Sequence, residues 1–513
     1  MNPAEDLEER ARALGLPLAR LKGSPIDPEA VKAVPARYAH HYRLMPLGFE
    51  DGALTVAVAD AEDVLKLDEM RVVLGREIRP ALAAPAEIAE AIEAHYGVGA
   101  DILDRLSGAA APREEAPAEA ARPEDASVIS FVNQLLLEAH RRRATDVHLE
   151  PFRGELRVRQ RVDGLLYETK IPPSIARFRE AIVSRIKIMA NLDIADRMLP
   201  QDGRFRLRFR DIEVDVRIST LPTPYGESVT LRLLSDLQLL DMEALGFEAG
   251  HLKLLRGLLL RPHGMLLLTG PTGSGKTTSL YAFLRELNGS DRKIITIEDP
   301  IEHELRGLTQ IQVNPKPGLT FARGLRSMLR HDPDVMMVGE IRDGETAEVA
   351  IRVALTGHLV LSTLHTNEAA GAVTRLLDIG VESYLIASCL HAVIGQRLAR
   401  LICPSCKKPC EPKPEELRAV GISGKPPPFF RGSGCEACGG TGYRGRTAVY
   451  ELFALDTELR ELVMRRAHAG ELVERARKKG MRTLRACGLE RAKAGLTTLE
   501  EVVRVTQAAE DDA

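Results

Sequence analysis

Apolar positions change their period several times along this chain, and each change marks an expected boundary. In residues 1–105, short apolar runs such as Leu54-Thr55-Val56-Ala57-Val58 exchange with helical stretches such as Glu87 to His95, which predicts a small amino-terminal α/β domain. The pattern then stops. Ser107 to Ser127 holds eight Ala, three Pro and five acidic residues in 21, with no Val, Leu or Ile, so residues 106–127 are expected to form a flexible linker. From Val128 a helical stripe (Ile129, Phe131, Val132, Leu135, Leu136) leads into strand-period segments, Leu156 to Val162 and Val214 to Ile218, which predicts an α+β domain over 128–240. Over 241–401 continuous apolar strands alternate with helices, as in a parallel α/β sheet; the strands expected are 265–269, 294–297, 335–338 and 359–363. A cysteine-bearing region, 402–445, and a helical, charge-rich segment, 446–513, complete the chain.

Length agrees with this division, since 513 residues exceed what a single core can organise. A hydrophobic content of 44% with 28% charged residues describes folded soluble domains, and a net charge of -3 gives no global attraction to nucleic acid or anionic lipid. The longest stretch without Asp, Glu, Lys or Arg runs only from Val353 to Asn367, too short to span a bilayer, and the amino terminus lacks the pattern of a signal peptide. The expectation is a cytoplasmic protein that meets membranes through partners. Charge is uneven locally: between Arg141 and Arg217, 16 Arg and 2 Lys face 12 acidic residues. Most of these arginines read as solvated strand faces; the alternative is a platform that lends arginines to a phosphate site.

Such a site is written at Gly270-Pro271-Thr272-Gly273-Ser274-Gly275-Lys276-Thr277, followed by Thr278, where an apolar strand gives way to a helix. Glycines let backbone N–H groups wrap phosphates, the helix amino terminus adds positive potential, Lys276 reaches the β- and γ-phosphates and the Thr277 hydroxyl ligates Mg²⁺. Two acidic clusters follow apolar strands downstream: Glu298, Asp299 and Glu302, then Glu340 and Asp343. A carboxylate there can hold the Mg²⁺ shell or polarise an attacking water. His358 and His365 bracket the fourth strand, and His365, at its carboxyl end, is either structural or a sensor of the γ-phosphate.

Taken in order, these residues resemble the secretion ATPases of type II secretion and type IV pilus systems. The aspartate box of that family is matched by Thr296 to Glu302, its Walker B motif by Asp332 to Glu340 and its histidine box by Thr356 to Thr366. His331 stands before Asp332 where Gln is expected. The resemblance implies a RecA-like P-loop ATPase domain, with Glu302 and Glu340 as catalytic carboxylates and Arg204 and Arg217 as charge-neutralising fingers. It further implies a homo-hexameric ring docked on the cytoplasmic domain of an inner-membrane platform protein. Thr320 to Arg326 and Ala370 to Leu376 look like the type II secretion branch, with a pilus assembly ATPase as the alternative. A nucleic-acid motor is disfavoured because the basic residues lack interleaved aromatics and the chain has no Trp. No cyclic di-GMP motif is matched in residues 1–105, which read as a partner-docking domain.

Four of seven cysteines form two Cys-x-x-Cys pairs, Cys403/Cys406 and Cys435/Cys438, the composition of a tetrahedral structural Zn²⁺ site. Residues 411–434 are expected as an inserted loop between the pairs. Cys389 and Cys487 fall in apolar helical patterns and read as core, and Cys410 lies beside the cluster.

Overall fold

The computed structural model describes residues 7, 10–13, 15–21, 25–60, 67, 70, 71, 74–96, 123–209, 212–234, 240–422 and 426–506. It divides into two compact units, Met1–Asp236 and Leu237–Ala513.

The first unit carries two sheets. β1 (Met45–Glu50), β2 (Ala53–Val58) and β3 (Ile78–Leu82) form a small one, with β1 antiparallel and β3 parallel to the central β2. The helix Pro85–Tyr96 buries Ile88 and Ile92 in the core of this part with Leu54 and Val56. The second sheet is antiparallel throughout: β4 (Ala144–Phe152), β5 (Glu155–Val162), β6 (Leu165–Glu168), β7 (Gln201–Phe209), β8 (Ile212–Thr223) and β9 (Gly226–Leu234), in the order β6-β5-β4-β9-β8-β7. Alternate residues of these strands, such as Val147, Leu149, Val216, Ile218 and Leu231, share a core with Phe131, Val132, Leu135 and Leu136 of the helix Pro123–Arg141. That helix corrects the expected linker boundary. Residues 123–127 open it instead of belonging to the linker, because Pro at a first helical position costs no hydrogen bond. The rest of the expected linker, 106–122, lies outside the described residues.

The second unit is built on a seven-stranded sheet: β10 (Gly264–Thr269), β11 (Ile294–Glu298), β12 (Leu308–Gln312), β13 (Val335–Val338), β14 (Leu359–Leu364), β15 (Leu390–Ile402) and β18 (Tyr443–Ala454), in the order β12-β11-β13-β14-β10-β15-β18. The first six strands are parallel, and both faces are covered. Met265 and Leu267 enter one core with Ile295, Ile297, Met336 and Val338, while Leu266 and Leu268 enter the other with Ile294, Val335 and Met337. The four expected strands are present, each within one residue at either end.

Two strands depart from the expectation. Leu390–Ile402 is a thirteen-residue strand, and Tyr443–Ala454, β18, pairs antiparallel to it from Ala392↔Ala454 to Ile402↔Tyr443. Residues 446–454 therefore belong to the main sheet and not to a helical tail; the helices begin at Thr457. Between these strands, β16 (Lys407–Cys410) pairs with β17 (Phe429–Gly432), and the helix Pro414–Ala419 lies between them. The expected loop 411–434 thus contains ordered elements.

Candidate active site and metal centre

The phosphate loop leaves β10, a strand buried along its whole length between β14 and β15. Three of its glycines have backbone angles that L-residues avoid: Gly270 at φ 147°, Gly273 at 78° and Gly275 at 84°. At Gly270 close approach adds to this, since a Cβ would stand 2.4 Å from the Gln396 carbonyl oxygen. Pro271, Thr272, Gly273 and Thr277 are exposed, Gly275 and Thr278 half-buried, and Ser274 and Lys276 buried. Lys276 Nζ donates to the carbonyls of Gly270 (2.7 Å) and Pro271 (3.1 Å). Burial pushes its ammonium down to about 8, with Glu340 opposing and Arg397 assisting. The hydroxyl of Ser274 is buried with no partner among the described residues, a donor already aimed within the loop.

Glu340 sits just beyond β13. The preceding Gly339 is pinned on both sides: its N–H donates to the Ile297 carbonyl (2.8 Å) and its carbonyl accepts from the Thr363 hydroxyl (2.8 Å). The Glu340 carboxylate lies 3.4 Å from His365 Nε2, is bonded by Arg342 and acts electrostatically on Lys276. Burial, with Lys276 nearby, lowers the His365 pKa and keeps the ring neutral at pH 7. Lys276, Glu340 and His365 therefore gather at the carboxyl ends of β10, β13 and β14, three consecutive strands. His358, at the other end of β14, bonds Val353 O and Thr356 and has a local structural role.

The acids after β11 divide in a way the sequence did not reveal. Glu298 points inward, where Oε2 accepts from the Tyr281 hydroxyl (2.5 Å) and Oε1 from the Thr296 hydroxyl (2.5 Å) and the Gln310 amide (3.2 Å). Tyr281 lies on the helix Lys276–Leu287, and its hydroxyl also receives the backbone N–H of His303 (3.3 Å). Glu302, half-buried, occupies the loop so held. Replacing Glu298 by Ala removes the acceptor from two buried hydroxyls, and the expected cost is about 2–4 kcal/mol of unfolding free energy, read from denaturant midpoints. A change near zero would mean that this network contributes nothing.

Arg204 and Arg217 lie in the first unit, directly opposite each other on β7 and β8, and Arg217 also faces Arg232 on β9. Arg204 is exposed and Arg217 half-buried. Aligned like charges weaken a strand pair. Arg232 is partly compensated by Asp146 at 2.9 Å.

The four cysteines converge in the second unit. Cys403 and Cys406 follow β15, and Cys435 and Cys438 precede β18, so the β15–β18 pairing brings the two turns together. All four sulfurs lie within 4.8 Å of one another, with separations of 3.7 Å (Cys403–Cys435), 3.9 Å (Cys406–Cys438) and 3.7 Å (Cys435–Cys438). A tetrahedron with metal–sulfur bonds of ~2.3 Å has edges of about 3.8 Å, so the donor set fits a tetrahedral ion. Backbone N–H groups of Cys435 and Gly442 each donate to Cys438 Sγ at 3.2 Å, which suits a thiolate. Cys389 and Cys487 are buried in helices, and Cys410 is half-buried on β16.

Gln396 and Arg397, both against the phosphate loop, were not singled out by sequence. They stand inside an apolar run, and their only signal is two polar side chains in an otherwise core-like segment.

The family described as type II/IV secretion system protein matches residues 121–504, and the MshEN domain matches residues 14–101. The type II secretion system protein E of Xanthomonas campestris is 45% identical, with 98% of this chain and 90% of that protein covered. The type IV pilus assembly ATPase PilB of Myxococcus xanthus is 43% identical over 96% of this chain and 89% of its own length. Among solved structures, the ATPase DotB of Legionella pneumophila shares the fold at a TM-score of 0.55 and 21% identity, covering 75% of this chain and 96% of that one.

Proposed function

We propose, for a chain that belongs to the type II/IV secretion system protein family, that it is the ATP-hydrolysing motor of a type II secretion apparatus. The observation carrying the catalytic half is the convergence of Lys276, Glu340 and His365 at the ends of three adjacent strands, beside a phosphate loop. In this reading residues 270–278 cradle the phosphates, and Lys276 exchanges the Gly270 and Pro271 carbonyls for β- and γ-phosphate oxygens. The Thr277 hydroxyl and acids of the site hold Mg²⁺, which neutralises phosphate charge when bound. Glu340 accepts hydrogen-bond donation from the attacking water and draws off its proton. Neutral His365 reports the γ-phosphate side of the site to Glu340, and Glu302 shares the water and metal shell. Arg204 and Arg217 neutralise charge that develops on the leaving phosphates.

Around that centre the reading adds a homo-hexamer, peripheral attachment to the inner membrane from the cytoplasm and coupling to pseudopilus assembly. The cytoplasmic domain of a platform protein is the partner, and nucleic acid is not bound directly. Among the described residues no helix is long and apolar enough to cross a membrane. The tetracysteine cluster holds Zn²⁺ in a structural role, since all four donors come from the protein and no coordination position is left open.

A second reading, a type IV pilus assembly motor, is favoured by the similarity to the Myxococcus xanthus protein, which nearly equals that to the secretion protein. Mg²⁺-dependent phosphate release from the purified chain, with and without the cytoplasmic domain of a type II secretion platform protein, separates them. Stimulation by that domain supports the secretion motor. Hydrolysis that ignores it, in a preparation where the two do not bind, moves the assignment to the pilus system.

A further inference from the structure

β15 runs behind the phosphate loop, and at Gln396 and Arg397 it touches it. The Gln396 side chain donates to Ser274 O at 2.9 Å and accepts from the Ser279 hydroxyl at 2.8 Å, joining the loop to its helix. Arg397 is 6% exposed. One guanidinium nitrogen bonds Gln396 O (3.2 Å), the other Asn367 O (2.7 Å), two residues beyond His365. The first of these nitrogens also stands 3.0 Å from where a Cβ on Gly270 would be.

Its partners are therefore neutral carbonyls, and Arg397 forms no ion pair among the described residues. Arg400, on the same strand and equally buried, shows the usual arrangement, with Glu501 at 2.8 Å. The acid in the field of Arg397 is Glu451, whose own carboxyl is pushed up to about 7 by burial, so it is a weak counter-charge at neutral pH. A buried guanidinium without a carboxylate is costly unless something else balances it. Here it adjoins the loop that receives phosphates.

We propose that Arg397 is a positioning residue for nucleotide: its fixed charge under Gly270 balances the phosphates across the loop, while its bond to Asn367 O keeps the His365 segment in register with that charge. This rests on the reading of residues 270–277 as a nucleotide phosphate loop. The charge acts through the loop backbone, so its effect grows with the number of phosphate charges bound.

The test is equilibrium titration of the full chain with fluorescently labelled ATP and ADP, alongside thermal unfolding without nucleotide. Arg397→Met removes charge and hydrogen bonds but keeps volume; Arg397→Lys keeps the charge and loses the planar fork. The expected result is an ATP Kd about tenfold weaker for Arg397→Met, a smaller change for ADP and most of the ATP affinity recovered in Arg397→Lys. Unfolding temperature without nucleotide should not fall in Arg397→Met. If both variants bind ATP as the wild type does, or lose affinity equally while ADP follows in step, the charge has no such role. If Arg397→Met does not fold, Arg397→Gln takes its place and must show the same ATP-over-ADP loss. A wild-type chain that binds neither nucleotide would instead overturn the phosphate-loop reading.

Discussion

Glu340→Gln should abolish turnover while sparing nucleotide binding, with phosphate release falling about 10²- to 10⁴-fold. The substitution keeps the shape of the side chain and its place between His365 and Arg342, so the fold has little reason to respond. It removes a carboxylate able to take a proton from water, the role proposed for Glu340. Gly339 is fastened to β11 and β14 by two hydrogen bonds, so the neighbouring residue cannot drift to compensate. Steady-state phosphate release and equilibrium nucleotide titration on the same preparation separate chemistry from binding. Should Glu340→Gln retain activity, Glu302 becomes the better base, and Glu302→Gln should then carry the loss.

Removing metal from the cysteine cluster should produce the largest stability effect. Cys406→Ser, or exhaustive chelation, is expected to release one equivalent of zinc by elemental analysis and to destabilise the second unit by at least about 3 kcal/mol. The physical cause is the placement of the cluster. Cys403 follows directly from β15 and Cys438 precedes β18 closely, so without an ion the two turns lose the bonds that tie them together where two sheet strands meet. An unchanged unfolding curve in the Ser variant, with metal still bound, would mean that the other three thiols suffice; no metal in the wild type would remove the zinc assignment.

How much of this was legible beforehand depended on whether a residue's role follows from local pattern. The strand before Gly270, the glycines of the loop and the two Cys-x-x-Cys turns are local. Backbone angle or donor spacing dictates those residue types, and the fold places them accordingly. β15 was not legible, because Gln396, Arg397 and Arg400 interrupt its apolar run, and only tertiary partners explain polar groups in a buried strand. β18 was hidden for a related reason: its first half, Tyr443 to Thr447, alternates half-buried and exposed residues and reads as charged surface. The difference between Glu298 and Glu302 was equally invisible. It is set by Tyr281, seventeen residues before Glu298, which reaches the first acid and, through His303, the loop of the second.

The buried ammonium of Lys276 makes nucleotide capture a proton-coupled event. With its pKa pushed down to about 8, roughly half of the lysines are neutral at pH 8, and phosphate oxygens favour the charged form. The bound pKa therefore exceeds the free one, so binding takes up protons near pH 8, and affinity declines as pH rises beyond it. Calorimetric heats of binding at pH 8 should then vary with the ionisation enthalpy of the buffer, with Lys276 contributing a slope of about half a proton per nucleotide, and Lys276→Met should lose that contribution. A motor of this construction draws a small alkaline shift from its surroundings each time it loads.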